Sequence, residues 1–174
     1  ASDFIYLGKQ SVNFEIPGTL HIIQDADSWD AEKDRHLPLF SSLSEFIATN
    51  EKHANLNLVK CSTQELIDFD GNIPKAILVL ETSNAHGMAE QRRGFYELLK
   101  RGCKNPVIIK RTYSALSNEK FQLRSATDMG GLLIDGFGDG IWLSGSECGG
   151  AKHVLQTAFG ILQATRTRIS KTEY

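Results

Sequence analysis

The spacing of hydrophobic and polar positions becomes regular about a third of the way along the chain. From residue 55 onward, short apolar runs alternate with amphipathic stretches. The runs predicted to be strands are residues 56–60, 75–81, 106–110 and 140–143. Strands that are apolar on both faces and alternate with helices are typical of a parallel sheet with right-handed crossovers. Residues 55–165 therefore predict four βα units.

The stretches that follow these strands carry apolar side chains at helical spacing. They predict helices over residues 63–69, 89–101, 118–134 and 151–165. Gly130 and Gly131 are the point at which the third of these could break, because glycine weakens a helix interior. The last is the most regular: Val154, Leu155, Ala158, Phe159 and Leu162 fall on one side of it.

The first quarter of the chain, about residues 1–54, is less regular. Strand-like runs at 4–7, 12–16 and 20–23 are interrupted by glycine and proline, and residues 25–35 are polar and predict a loop. Ser42 predicts the start of a short helix. We therefore expect one α/β domain over residues 1–174, with one or two N-terminal strands beside the four regular ones.

The length of the chain limits the architecture of this sheet. The pattern predicts a mostly parallel sheet of four to six strands, whereas a complete (β/α) barrel has eight βα units and at least ~200 residues. A chain of 174 residues is then either a partial TIM-barrel-like sheet or an open three-layer sheet. We favour an open or incomplete sheet.

Composition excludes several classes of function. With 41% hydrophobic residues, 23% charged residues and a net charge of -2, the chain has the composition of a soluble globular domain. No excess of basic charge indicates nucleic-acid or membrane binding, and its apolar runs, such as residues 76–80, are too short to span a bilayer. Cys61, Cys103 and Cys148 form neither a disulfide framework nor a CxxC metal site, and they predict reduced thiols.

A glycine-rich segment at 135–140 is the first candidate for chemistry. Closely spaced glycines let backbone amides approach a phosphate, and Asp135 and Asp139 could hold a divalent cation. The segment precedes a strand, however, whereas a dinucleotide fingerprint follows one. A connecting loop with a glycine helix cap is the interpretation we favour.

The carboxyl ends of the predicted strands are the second candidate, because α/β sheets bind ligands there. These ends offer Cys61, Glu81-Thr82-Ser83, Arg111-Thr112-Tyr113 and Ser144-Gly145-Ser146. Glu81 could act as an acid or base, and Lys110 with Arg111 could bind an anion.

No nucleophile–base pair is visible among these residues, and the five histidines are scattered without metal-binding spacing. Cys148, before the last helix, is expected to be a small buried residue rather than an activated thiol. The sequence therefore assigns no catalytic, cofactor-binding or metal-binding residue to this chain.

Two segments near the end of the chain resemble one known family. Residues 131–141, with the run Leu132-Leu-Ile-Asp-Gly-Phe-Gly-Asp139, are similar to that family's LL-x-DG-x-GD stretch. Residues 160–174 are similar to its ILQ-x-x-R-x-R-x-x-KTEY stretch. The matching positions there are Leu162, Gln163, Arg166, Arg168, Lys171, Thr172, Glu173 and Tyr174. Together the two segments resemble the long-form hydroxymethylbutenyl diphosphate synthases.

The resemblance implies a particular part of such an enzyme. The family has a catalytic TIM barrel and an iron–sulfur domain, and the long form carries an extra domain between them. In the barrel, an Arg and a Ser of the motif are associated with the substrate diphosphate. Here Trp142 stands where that Arg would be, while Ser144 is retained. Because an indole cannot clamp a diphosphate as a guanidinium does, the resemblance implies the inserted domain.

The function implied is that of a non-catalytic scaffold, inactive by itself. The whole enzyme would reductively convert methylerythritol cyclodiphosphate to hydroxymethylbutenyl diphosphate, with a 4Fe–4S cluster fed by ferredoxin or flavodoxin. The resemblance places the cluster ligands beyond Tyr174 and makes residues 166–174 a connector toward a missing iron–sulfur domain. The partners implied are the other domains of the parent chain, and the implied location is a bacterial cytoplasm rather than a plastid.

Two alternatives remain open from the residues. One is a free-standing phosphate-ligand-binding α/β module, which requires Lys110, Arg111 and the loop at 135–140 to converge on one cleft. The other is a structural or partner-binding domain unrelated to isoprenoids.

Overall fold

A computed structural model describes residues 2–13, 15–69 and 73–166 of the chain. Its seven strands are Phe4–Gly8 (β1), His21–Asp25 (β2), His36–Phe40 (β3), Asn57–Cys61 (β4), Ala76–Glu81 (β5), Val107–Ser114 (β6) and Gly140–Ser146 (β7). Its helices are Leu43–Ala48 (α1), Thr63–Asp68 (α2), Gly87–Lys100 (α3), Asn118–Ser125 (α4), Gly131–Ile134 (α5) and Gly150–Arg166 (α6). A π-helical turn, Ala126–Gly130, joins α4 to α5.

All seven strands lie in one parallel sheet in the order of the chain, from β1 to β7. Crossovers of one hand between successive strands leave every helix on the same side of such a sheet. The sheet curls away from the helices into a half-barrel with a convex, helix-covered face and a concave face. The α/β class and the partial-barrel architecture predicted from the sequence are confirmed, and the three-layer alternative is not formed.

The sheet has seven strands where the pattern predicted four to six, because the first quarter of the chain supplies three of them. β3 was missed since Pro38 lies within it and proline cannot donate to a strand ladder. In the structure β3 pairs with β4 only at Leu39 and Phe40, beyond the proline. The strand predicted at residues 12–16 does not form in the part of this run that the structure describes.

Side chains alternate between two apolar layers. The larger layer lies between the convex face and the helices, where Phe40, Leu78, Leu80, Ile109 and Met129 are fully buried. The smaller layer lines the concave face: Ile23, Leu37, Leu39, Leu58 and Val79, with Phe4 and Trp142 packed against them. A strand with apolar side chains on both faces supplies both layers, which explains the continuous apolar runs in the sequence.

Local sequence signals set the ends of several helices. The side chains of Ser42, Ser62 and Ser117 each accept a hydrogen bond from a backbone N–H in the first turn of the helix they precede. Ser62 and Glu65 form a reciprocal capping box. The helical stretch predicted over 118–134 is continuous, and its irregularity is the π-helical turn rather than a break.

Removing packing from the convex layer should cost far more stability than the same change on the surface. We expect Leu78→Ala, in a fully buried position, to lower the free energy of unfolding by about 2–5 kcal/mol, because it leaves a cavity. Leu123→Ala, at a side chain that is 68% exposed, should change it by less than about 0.5 kcal/mol. Urea unfolding followed by circular dichroism measures both, and equal losses would contradict the placement of the core.

Candidate functional site

The strand-end residues singled out from the sequence separate onto the two faces of the sheet. Lys110 and Arg111 are neighbours in β6, so their side chains leave the sheet on opposite sides. Lys110 lies on the concave face with Glu81 and Trp142, its register neighbours in β5 and β7. Arg111 lies on the convex face beneath the helices. The two candidates for an anion site therefore do not act together.

The concave side of the strand ends carries a ring of paired polar and aromatic groups, which we call the concave rim: Tyr6, Asp25, Glu81, Lys110 and Trp142. The Lys110 Nζ atom lies 2.5 Å from Glu81 Oε2 and 5.1 Å from the centre of the Trp142 ring. Tyr6 Oη donates a hydrogen bond of 2.7 Å to Asp25 Oδ1. The rings of Tyr6 and Trp142 meet with their centres 5.0 Å apart.

By the motif resemblance, Trp142 stands where the barrel motif of the similar family has an arginine. Its indole packs against the concave apolar layer and lies between the Tyr6 ring and the Lys110 ammonium group. The charge of Lys110 is already paired with Glu81. Ser144, the retained serine of the motif, lies two residues further along the same face, in register with Thr112. The rim is therefore a packed layer in which the Lys110 charge is neutralised by Glu81 and the Asp25 carboxylate accepts from Tyr6.

On the convex face, Arg111 is the centre of a buried polar network. Its side chain is only 6% exposed, and Nη2 lies 3.0 Å from Asp128 Oδ2 in the π-helical turn. The guanidinium also donates to the backbone oxygens of Thr82 at 3.0 Å and Asn84 at 3.1 Å. Tyr113 Oη donates to the same Asp128 oxygen at 2.6 Å. The Arg111 network thus ties β6, the loop after β5 and the π-helical turn together.

Helix α3 is shaped to accommodate this network. Gly87, its first residue, lies so close to the Arg111 guanidinium that a Cβ atom there would overlap it. One turn later the fully buried Gln91 donates through Nε2 to the backbone oxygens of Leu80, at 2.8 Å, and Lys110, at 3.1 Å. A glycine followed by a glutamine at this spacing therefore fixes α3 across β5 and β6.

The Tyr113 phenol is held in its neutral form by its surroundings. Its pKa is raised from 10.0 to about 12, mainly by burial and also by the hydrogen bond to the Asp128 carboxylate, against an opposing contribution from Arg111. At neutral pH the hydroxyl is therefore a permanent donor to Asp128. Tyr113 is a structural member of the Arg111 network.

A cleft of about 370 Å³ opens above this network at the carboxyl ends of β5 and β6. It is lined by Ser83, Arg111, Thr112, Ser114, Arg124 and Asp128, among others. The cleft brings together several of the strand-end residues predicted from the sequence. The Arg111 guanidinium is engaged by a carboxylate and two backbone oxygens, which leaves Arg111 little capacity for a ligand.

The glycine-rich loop at 135–140 lies at the opposite end of the sheet, where β6 and β7 begin. Asp139 Oδ2 accepts a hydrogen bond of 2.8 Å from the backbone N–H of Val107, and Asp135 pairs with Arg92 at 2.5 Å. Gly138, at φ 86°, packs so closely on Ile109 that a Cβ atom would overlap it. These contacts favour the interpretation as a connecting loop. The convergence with Lys110 and Arg111 that a phosphate module requires is not formed.

Two thiols and one imidazole of the described residues are buried in the fold. Burial raises the pKa of the Cys61 thiol well above its usual range, and Cys148 is fully buried, as predicted. His36 is buried beside Gln24, with Nδ1 2.6 Å from Oε1, and burial lowers its pKa. Within residues 2–13, 15–69 and 73–166, no three His, Cys, Asp or Glu side chains are grouped as a metal site requires.

Two further expectations from the sequence concern the connector at 166–174 and a membrane span. Arg166 is the last residue of α6, and the rest of the connector at 166–174 lies outside the described residues. None of the described helices combines the length and the apolar character that a membrane span requires.

Comparison with known proteins shows that almost the whole chain is similar to part of several enzymes that share one name. It is 38% identical, over 99% of its length, to a 4-hydroxy-3-methylbut-2-en-1-yl diphosphate synthase (flavodoxin) of Parabacteroides distasonis. It is 34% identical over 99% of its length to the protein of that name from Bacteroides thetaiotaomicron. A synthase of Protochlamydia amoebophila is 36% identical over 58% of the chain and is matched over 15% of its own length.

The chain spans about 28% of the length of the first two relatives. No family model and no solved structure matches the chain. The similarity covers the N-terminal half as well as the two C-terminal motifs that carried the resemblance in the sequence. The resemblance is thereby confirmed as homology to a segment of these synthases.

Breaking the Arg111 network should destabilise the domain much more than breaking a surface pair. We expect Asp128→Ala to lower the free energy of unfolding by about 3–5 kcal/mol, because it leaves a buried guanidinium unpaired. The control Asp135→Ala removes an ion pair whose carboxylate is 44% exposed and should cost less than about 1 kcal/mol. Chemical unfolding of both variants makes the comparison, and a loss below about 1 kcal/mol for Asp128→Ala would contradict a buried charge that depends on Asp128.

The Tyr113 phenol should lose its proton at a higher pH than an ordinary tyrosine. In the folded protein it should lose its proton near pH 12, measured as the difference in tyrosinate absorbance between wild type and Tyr113→Phe. Because the folded pKa lies above the unfolded value, this group stabilises the fold fully below about pH 10. That contribution is lost as the pH rises through the folded pKa. A midpoint near 10 would place the phenol in solvent.

Proposed function

The chain is homologous to one segment of the 4-hydroxy-3-methylbut-2-en-1-yl diphosphate synthases, and we propose that it serves as a non-catalytic scaffold domain of such an enzyme. On this proposal it is the inserted domain of the long form. The whole enzyme reduces methylerythritol cyclodiphosphate to hydroxymethylbutenyl diphosphate, and its electron donor is flavodoxin, which the relatives' name contains, or ferredoxin.

The filled concave rim is the observation that carries the proposal. In complete (β/α) barrels the active site lies at the carboxyl ends of the strands, on groups free to meet a substrate. Here that position is occupied by Trp142 packed on Tyr6, and by a lysine neutralised by Glu81. A diphosphate needs uncompensated cationic donors. The rim therefore favours a domain that has the architecture of a barrel but lacks the groups that bind a substrate.

The described residues do not fit the iron–sulfur cluster of the parent enzyme. Cluster ligation uses several thiolates around one site, whereas Cys61 is buried in the convex layer and Cys148 in a separate cluster with Tyr113 and Phe121. Cys103 hydrogen-bonds to Asn105 Oδ1 at 3.3 Å. We therefore derive no step through the cluster in this domain, and its ligands are proposed to lie beyond Tyr174.

Strand β1 starts at the end of the sheet where all the strands begin, and α6, running back along β7, ends on the same side. The concave rim lies at the other end of the strands. On this proposal residues 166–174 act as the connector or interface toward the next domain.

Variants in the rim and in the Arg111 network should differ in their effect on enzyme turnover. In the full-length protein from the same gene, Glu81→Gln should leave anaerobic turnover of the cyclodiphosphate within about twofold, because the rim contributes no catalytic group. Asp128→Ala should lower turnover together with folded protein and bound iron, since it damages the scaffold. The 174-residue chain alone should show no turnover.

One outcome for Glu81→Gln would contradict the scaffold proposal. If Glu81→Gln abolishes turnover while the iron content and the unfolding curve stay at wild-type values, the rim takes part in catalysis and the domain is not a scaffold. Glu81→Asp, which keeps the carboxylate, distinguishes a lost charge from a lost shape.

A further inference from the structure

We infer that one more parallel strand, from polypeptide outside this chain, pairs between β7 and β1 and closes the half-barrel, with its connecting helix packed beside α6. This inference rests on the proposed function, in which the chain is one segment of a longer protein. It concerns a surface that neither the homology nor the scaffold role assigns.

The two edges of the sheet are open among the described residues. β1 pairs only with β2, and β7 pairs only with β6, within residues 2–13, 15–69 and 73–166. Each edge strand therefore presents a row of backbone N–H and C=O groups to whatever lies beside it. Exposed edges of this kind template pairing with a further strand unless they are blocked.

Side chains from the two edge strands meet on the concave face. Tyr6 on β1 and Trp142 on β7 touch with ring centres 5.0 Å apart, although their strands are not hydrogen-bonded to each other. Neighbouring strands lie about 4.8 Å apart, so one strand inserted between β1 and β7 would hold them about 10 Å from each other. Side chains that converge on the concave face can bridge that distance. The seven strands then occupy seven of the eight places of a (β/α) barrel.

The direction of the missing strand follows from its neighbours. β1 and β7 run the same way, because every pairing from β1 to β7 is parallel. A single strand can satisfy both edges in the pattern of the sheet only by running parallel to both. In a second copy of this chain, a two-fold dimer would instead pair an edge with itself in the antiparallel direction.

The convex surface beside these edges is apolar. On α6, His153 contacts Phe121 of α4, with ring centres 5.7 Å apart, so this flank of the helix faces the covered part of the sheet. Leu155 and Phe159 lie on the opposite flank and are 57% and 51% exposed. Ile5, on the outer face of β1, is 41% exposed.

These side chains border the place where the helix of an eighth unit would pack. The occupant is therefore a βα unit whose strand is apolar and whose helix has one apolar face. The strands and helices already in the sheet have the same character. The relatives supply the length for it, because this chain covers only 28% of them. A unit from the same polypeptide also acts at high effective concentration, so it needs little intrinsic affinity.

Hydrogen exchange measured by mass spectrometry tests the inference on the 174-residue chain and on the full-length protein. We expect peptides that cover β1 and β7 to exchange about a hundredfold more slowly in the full-length protein, because their amides gain ladder partners. Peptides from β4 and β5, which are interior strands in both proteins, should be protected equally and serve as the internal control.

A pair of variants in the full-length protein locates the contact. Phe159→Asp should remove much of the protection of β1 and β7, because it places a charge against the docked helix. Leu123→Asp, which lies on α4 and is 68% exposed, should leave the exchange of both edges unchanged. Both substitutions fall on exposed positions, so the fold itself should survive them.

Two results would overturn the inference. Equal exchange of β1 and β7 in both proteins would show that the edges stay open. Protection in the short chain that rises with its concentration would identify a second copy as the occupant. If the gene encodes no flanking polypeptide, the proposed function fails as well, whereas open edges in a longer and active enzyme overturn this inference alone.

Discussion

Parallel strands that follow one another in chain order impose a single constraint from which the rest of the molecule follows. Each connection between successive strands has to cross on the same side of the sheet, so the helices cover one face. The sheet curls so that the other face becomes the concave one. The convex face then holds the main apolar layer, and the concave face must be filled by side chains alone. Trp142 and Tyr6 fill it where a catalytic barrel would keep an opening.

The same constraint separates charged neighbours that look equivalent in the sequence. Lys110 is neutralised on the concave face by Glu81, while Arg111, the next residue, is buried on the convex face with Asp128. One residue therefore belongs to the rim and the other to the network that fixes α3 and the π-helical turn. The polar groups at the carboxyl ends of the strands stabilise the domain through these pairs, and this use of them is consistent with a scaffold.

Much of this arrangement could be predicted from residues, and the exceptions have physical causes. The strands from β4 to β7 were predictable because they are apolar on both faces, whereas Pro38 concealed β3. The replacement of an arginine by Trp142 was visible in the motif. The partner of Arg111 was not, because Asp128 is 17 residues away on a helical stretch whose orientation depends on packing. An arginine between two apolar strand positions is nevertheless a signal that a buried anion must exist.

We propose that the domain supports an enzyme without binding its cofactor or its substrate. The most direct measurement is anaerobic reconstitution of the purified 174-residue chain with iron and sulfide, followed by iron analysis and calorimetric titration with the cyclodiphosphate. The scaffold account predicts a folded protein with no stoichiometric iron and no heat of binding. Stoichiometric iron, or saturable binding of the diphosphate that Lys110→Ala abolishes, would contradict it and make the concave rim a working site.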